Sequence, residues 1–371
     1  MNAAGIDVSK GKSMVSVMRP LGEVVAKPFT VCHTGSELKE LADYLKSLDG
    51  ETRVIMEHTG RYYEPVAQFL HDAGLYVSAV NPKLIKDYGN NSLRKVKTDK
   101  ADSKKIAKYG LDNWGELRQY ASMDTIRYQL KTLNRQHTLY TKMKTAMKNN
   151  LIALLDQTYP GVNALFGSPA REDGTQKWVD FAASFWHADC VRGMSQAAFT
   201  ERYRKWCKRN RYNFSSDKAA EIYTGAKDQI AMIPKDDLTK RLIQQTIDSL
   251  NTVSKTVEQL KAEMLKLASQ LPEFPVVMKM HGVGDSLGPQ LMAEIGDVTR
   301  FVHRGSITAF AGVDPGANQS SEREAKSVRT SKSGPPELRR TLFLVMDGLL
   351  KSMPQDDPVY QFMDKKRAEG K

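Results

Sequence analysis

The chain has 371 residues, 40% of them hydrophobic and 8% aromatic, which is enough for two or three packed cores and excludes wholesale disorder. Fifty-five Lys and Arg against 43 Asp and Glu leave a net charge of +12, an excess that points to a polyanionic partner, most commonly nucleic acid. No apolar run approaches the roughly 18 residues of a membrane span, Met1-Asn2-Ala3-Ala4-Gly5 lacks the regions of a secretory signal, and Cys32, Cys190 and Cys207 have neither disulfide nor zinc-ligand spacing. The charge is local. Residues 83–108 hold nine basic and three acidic side chains, residues 202–211 hold six basic and none acidic, and each window carries +6.

In chain order, Ile6–Ser9 alternates apolar and polar, and Gly11-Lys12 turns it into Met14–Met18, a hairpin pattern. Leu38, Leu41, Tyr44 and Leu45 mark a helix over 36–47. Arg53–Glu57 reads as a buried strand, 65–73 as a helix, and Leu75–Val80 as a further strand stopped at Asn81-Pro82. The pattern predicts a mixed α/β sheet over residues 1–115. Ser122–Gln157 has no Pro or Gly and helical apolar spacing. Leu250, Val253, Val257, Leu260, Met264, Leu267 and Leu271 step by 3 and 4, which predicts a coiled-coil seam. Between these helices, in a middle region over 116–274, residues 158–235 read as an inserted aromatic and basic helical subdomain. A mainly α C-terminal domain over 275–353 and a loose polar tail over 354–371 complete the chain.

Asp7 sits on the polar side of the first strand, and Glu57 closes a strand otherwise made of Val, Ile and Met. Asp99 and Asp102 stand three apart at the start of a helix running to Tyr109, on one face of it. An acid at a helix start is either a cap or a ligand. Two strand-borne and two helix-borne acids in a basic domain are what a divalent-cation site for phosphoryl transfer requires. Lys95, Lys97, Lys100, Lys104 and Lys105 surround the helix-borne pair and are candidates for phosphate contact. Arg202, Arg204, Arg209 and Arg211 interleave with Tyr203 and Trp206, a composition that suits phosphate contact with stacking on unpaired bases, with packing of Trp206 inside the subdomain as the alternative.

Further on, Val276–Leu287 has a helix, Gly-x-Gly, helix form through Gly282 and Gly284, in which glycines let a backbone approach and helix amides hold a phosphate; a plain interhelical turn is the alternative. His281 reads as a loop or core residue. Ser320 and Ser321 precede a basic stretch of Arg323, Lys326, Arg329 and Lys332, and composition alone makes them loop hydroxyls.

Gly5-Ile6-Asp7-Val8-Ser9-Lys10, Glu57-His58-Thr59-Gly60-Arg61-Tyr62, Asn81-Pro82 and Lys97-Thr98-Asp99-Lys100-Ala101-Asp102 resemble the DEDD transposases of the insertion-sequence 110 family, and the likeness resumes at the C-terminus. The resemblance implies an RNase H-like (RuvC-like) fold with Asp7, Glu57, Asp99 and Asp102 binding Mg²⁺. It implies a recombinase that pairs double-stranded donor and target DNA under a structured guide RNA, in a bacterial-type cytoplasm and on the nucleoid. It also implies a C-terminal serine that attacks DNA. Counting back without gaps from Ser331-Lys332-Ser333-Gly334, the matching position is Ser321, with Ser320 one step away. Glu322 stands where the family pattern has Gly. Protomers are expected to pair through the coiled-coil seam into dimers and then a tetramer, with a composite site formed between them. The alternative is a RuvC-like structure-selective endonuclease that hydrolyses DNA with two metal ions and no serine. A third reading, an actin-like sugar kinase or ATPase, is disfavoured by the lack of later Gly-rich phosphate loops in the helical middle.

Overall fold

A computed structural model describes residues 1–58, 60–88, 98–315, 319–320, 323–324 and 329–370. The chain divides into two units, Met1–Ser122 and Met123–Lys371.

In the first unit, β1 (Asn2–Val8) and β2 (Lys12–Met18) form the expected hairpin, with Gly11 at φ +78° in the turn. The sequence reading passed over β3 (Val24–Cys32), which pairs antiparallel with β2. Pro28 and a mixed burial pattern conceal β3, and both suit the edge of a sheet, where a missing N–H breaks no ladder. The chain continues through α1 (Gly35–Lys46), β4 (Thr52–Glu57), α2 (Tyr63–Asp72), β5 (Tyr76–Val80), α3 (Pro82–Tyr88) and α4 (Asp99–Asp112). The sheet order is β3-β2-β1-β4-β5, with β1, β4 and β5 parallel. Three antiparallel strands followed by two helix-linked parallel ones make an RNase H-like sheet. Alternation sends Ala4, Ile6, Val54 and Met56 to one face under Leu41, Leu45, Val66 and Leu70 of α1 and α2. Ala3 and Ile55 go to the other, under Ile85 of α3 and Ile106 and Ala107 of α4.

The second unit is helical among the described residues, apart from one two-stranded ribbon. α5 (Thr125–Leu155) leads into α6 (Lys177–Ser184), α7 (Asp189–Arg192), α8 (Gln196–Arg209) and α9 (Ser216–Lys227), and α10 (Asp237–Ala268) returns along α5. The two long helices run antiparallel: Arg127 meets Glu273 at 2.7 Å near one end and Lys144 meets Glu258 at 3.5 Å further along. Leu250, Val253, Val257 and Met264 are buried on α10; Leu151 and Leu155 of α5 cluster with Leu250, and Leu130 clusters with Met264. These seam residues are buried within the chain, where α10 packs along α5.

Between the long helices, Tyr159, Phe181, Phe185, Phe199, Tyr203 and Trp206 form an aromatic core that continues into Leu151, Leu155 and Ile247. The C-terminal part comprises α11 (Phe274–Val277), α12 (Leu287–Ile295), α13 (Arg304–Ala311), the paired β6 (Gln319–Ser320) and β7 (Arg323–Glu324), α14 (Pro336–Ser352) and α15 (Pro358–Ala368). α15 corrects the loose tail. Asp357 accepts from the Val359 and Tyr360 amides, Pro358 opens the helix, and Tyr360 is buried.

Buried Glu294 of α12 ties this part to α5. It takes both Arg135 guanidinium nitrogens at 2.8 and 3.0 Å and the Asn134 amide at 2.6 Å. Glu294→Ala should cost about 2–4 kcal/mol, seen as a lower urea midpoint. The loss is held below that of a fully buried pair because the Arg135 side chain is 37% exposed and also meets Glu337 at 3.4 Å. Glu294→Gln, which keeps an acceptor for Asn134, should lose less.

Candidate active site

β1 and β4 run parallel with Ile6 opposite Met56. Asp7 and Glu57, one residue further on each strand, stand side by side at the same end of the sheet. Ile6 and Met56 point into the core under α1 and α2, so alternation turns Asp7 and Glu57 to the other face, the one α4 covers. α4 lies on that face with its backbone against β1. A Cβ on Gly5 would stand 2.2 Å from the Ser103 carbonyl oxygen and 2.3 Å from the Ala107 nitrogen. Gly110 makes the same close approach further along, where a Cβ would meet Ile55 Cδ1 at 2.5 Å. Only glycine lets a helix axis come this near a strand.

The first turn of α4 carries Asp99 and Asp102. Its cap is Thr98, whose hydroxyl accepts from the Ala101 amide at 3.2 Å. The capping role weighed for Asp99 is therefore taken, and the two acids are left as first-turn carboxylates favoured by the helix dipole. The other three acids act on Asp7. Burial, and then the negative charges of Asp102, Asp99 and Glu57, push Asp7 from the ordinary 3.8 up to about 6. Asp7 is half-buried and feels the charge of the three other carboxylates.

Such crowding is relieved by a cation, and acceptor-only oxygens are the donor set of a hard one. Among the described residues, no three acid, His or Cys side chains gather closely enough to enclose an ion by themselves. An ion here would share Asp7, Glu57, Asp99 and Asp102 with water and substrate phosphate, the way Mg²⁺ is usually held. On α4, Lys100 is exposed and Lys104 and Lys105 are half-buried; Lys95 and Lys97 lie outside the described residues.

The proposed serine segment is anchored at both ends. Pro315 bridges to Thr330, the Ser331 hydroxyl donates to Asp314 Oδ1 at 2.7 Å, and Arg339 donates to the Gly334 carbonyl at 2.6 Å. Gly312 and Gly334 pass so close that a Cβ on the first would lie 2.6 Å from the nitrogen of the second. Ser320 pairs with Arg323 along the ribbon backbone, and nothing beyond that backbone is described for either residue. Ser321 and Lys326 lie outside the described residues. Arg329 and Lys332 are exposed, Lys332 at φ +51°.

Two sequence readings change here. Gly282, at φ +79°, lies flat against α14, where a Cβ would stand 2.3 Å from the Val345 carbonyl oxygen; helix packing requires this glycine. Gly284 faces open space and has no such contact. Trp206 is 4% exposed and Tyr203 1%, both packed in the aromatic core, so neither offers a face to a base. Phe199, Tyr203 and Trp206 fall on one side of α8 by helical spacing, and the burial of that side decides the matter. Arg202, Arg204 and Arg209 remain on the outer faces of α8, with Arg211 exposed just beyond it. Arg204 is engaged within the subdomain, over the Phe214 ring and 3.7 Å from Glu201. The residues that sequence reasoning passed over are Gly5 and Gly110. Their signal was a glycine inside a strand and another inside a helix, the mark of close backbone approach.

A family model for a DEDD transposase of the IS110 type matches residues 4–160, and one described as Transposase IS116/IS110/IS902 family matches residues 275–361. Residues 161–274, which hold α6–α9 and α10, fall between them. An insertion element IS116 uncharacterized 44.8 kDa protein from Streptomyces clavuligerus is 21% identical over 170 residues, 46% of this chain. That stretch spans 42% of the relative's own length. Among solved structures, Thermus thermophilus RuvC in complex with a Holliday junction substrate is 16% identical, covering 32% of this chain and 99% of that one with a TM-score of 0.25. A structure of Thermus thermophilus RuvC alone gives the same score over 100% of its chain.

Proposed function

The chain belongs to the IS110 family of transposases, and we propose that it cuts and rejoins donor and target DNA under a structured guide RNA, through the four-carboxylate site and a C-terminal serine. The observation that carries the reading is the coupling of Asp102, Asp99 and Glu57 to a half-buried Asp7 at the end of the sheet. A bound Mg²⁺ would supply Lewis-acid polarisation of the scissile phosphate. Asp7 and Glu57 hold their place through the strand register, and Asp99 and Asp102 through the seating of α4 on Gly5. Lys100, Lys104 and Lys105 supply positive charge beside them for the DNA backbone.

In this proposal Ser321 Oγ gives up its proton and forms a bond to phosphorus while the P–O bond to the DNA oxygen breaks, and that oxygen leaves as a free hydroxyl carrying the proton. One phosphodiester is thereby exchanged for a serine–phosphate ester that remains available for rejoining. Arg329 and Lys332, exposed on the anchored segment, are placed in the proposal to balance phosphate charge. The basic window at 202–211, largely on α8 and apart from the four acids, supports a second polyanion, for which the proposal takes the RNA.

Incubation of the full chain with DNA, its co-purifying RNA and Mg²⁺ should give a protease-sensitive, retarded DNA band on a denaturing gel. Ser321→Ala should lose that band and still bind RNA. If Ser320→Ala loses it instead, the nucleophile is one residue earlier. If both variants release the same free DNA ends as the unaltered chain, the serine step is wrong and a two-metal hydrolysis remains.

A further inference from the structure

We infer that the inserted subdomain carries a nucleic-acid backbone-binding cleft, formed by α8 and the end of α6 and built wholly within the second unit. The cleft has a volume of about 320 Å³ and is lined by Ser184, Phe185, Arg202, Lys205, Trp206 and Arg209. Its charged lining is three cations and no acid. Arg202, Lys205 and Arg209 sit at i, i+3 and i+7 on α8, a row of cations about 10 Å long on one edge of the helix. Among the described residues none of the three has a carboxylate partner within ion-pair distance, whereas Arg204 and Lys218 nearby do. A row of exposed cations on one helix edge with no acid among them presents a positive field to an external anion.

The floor fixes their geometry. The Arg202 guanidinium lies 5.1 Å over the Phe185 ring, and Arg209 donates to the Ser184 hydroxyl at 3.3 Å. Beneath them the buried Trp206 Nε1–H has no acceptor among the described residues, a donor whose desolvation is uncompensated. A second cleft of about 410 Å³ shares Ser184 and Arg202 and extends the surface to Lys235 and Lys240. Two acids line this extension. Asp236 accepts from the Thr239 amide as the cap of α10, while Asp237 remains in its first turn. The cation row therefore narrows the binding surface to α8 and its floor.

The ligand chemistry is the phosphodiester backbone. The aromatic rings here are floor and core, not an exposed stacking platform, so the cleft holds phosphates without reading bases. Neither family model covers residues 161–274, so the cleft adds a binding surface outside the matched domains. The identity of the polyanion as nucleic acid rests on the transposase reading, but the binding does not require the four acids.

The test is a salt titration of binding by the full chain to three probes: a DNA duplex, an RNA duplex and a single-stranded RNA. A chain with Arg202→Glu, Lys205→Glu and Arg209→Glu should bind more weakly. The slope of log K against log salt should flatten by about 2–3 for a duplex, near 0.9 for each phosphate that is no longer neutralised. Lys205→Gln with Arg209→Gln, which spares the Arg202–Phe185 stack, should flatten it by nearly 2 and guards against misfolding of the first variant. Flattening confined to the RNA probes assigns the cleft to RNA, and flattening confined to DNA assigns it to DNA; both support a backbone site. Unchanged affinity and slope for all three probes in both variants overturns it. An Asp102→Ala chain should keep the full slope, so failure of the carboxylate reading and failure of the cleft are separable.

Discussion

Replacing Gly5 by alanine should abolish most of the recombination activity although Gly5 touches neither metal nor DNA. The new methyl would sit 2.2 Å from the Ser103 carbonyl and 2.3 Å from the Ala107 nitrogen, and both are backbone atoms that no rotamer change can move. Relief to an ordinary van der Waals distance requires α4 to rise by about 1 Å or more, and Asp99 and Asp102 travel with it. A misplacement of that size costs about 10²-fold in rate, and overpacking adds about 1–3 kcal/mol of instability. Activity should therefore fall much further than folding. Gly110→Ala presses on the Ile55 side chain, which can yield, so its loss should be smaller. The check is recombination rate beside the urea midpoint: equal, small effects of the two variants would mean that α4 does not set the site.

The second large effect is a pH dependence that a divalent cation reverses. With its carboxyl raised from 3.8 to about 6 in the folded chain, Asp7 binds a proton more tightly folded than unfolded. Its contribution to stability is fully present below the unfolded value and is lost as pH rises through about 6. The metal-free chain should thus lose stability between about pH 4 and 6. Cation binding needs the ionised acid, so Mg²⁺ should stabilise the chain little at pH 5 and strongly at pH 7.5. Asp7→Asn should flatten the metal-free dependence and be more stable than the unaltered chain at pH 7.5 without cation, since the crowded charge is gone.

Much of the first unit was legible because alternation and capping are local signals. The Ile6–Met18 hairpin, the Arg53–Glu57 and Leu75–Val80 strands and the Asp99 helix need only their own residues to be recognised. β3 was not legible, since Pro28 and its edge position erase the alternation that marks an inner strand. The helix at Pro358–Ala368 was hidden by polar composition, although Asp357 and Pro358 spelled its start. Trp206 was read toward solvent from its basic neighbours, whereas its spacing from Phe199 and Tyr203 already placed it on an apolar stripe. The heptad seam was legible as a pattern, but a pattern does not name what it packs on, and its buried residues lie where α10 packs along α5 of the same chain. The grouping of the four acids into one site was proposed from their chemistry and placement in the sequence. What seats them, the packing of Gly5 and Gly110 against elements about 100 and 55 residues away, is tertiary and leaves only a glycine as its trace.

The most direct test of the carboxylate site is the melting temperature of the full chain with and without Mg²⁺ at pH 5 and pH 7.5, beside Asp7→Asn. At a hundred-fold excess over Kd, binding is worth about 2.7 kcal/mol. A rise of several degrees is expected at pH 7.5 in the unaltered chain, with little at pH 5 and none at either pH in Asp7→Asn. An equal rise in Asp7→Asn, or a rise in the unaltered chain that does not grow between pH 5 and 7.5, would contradict the assignment of the four acids as the cation site.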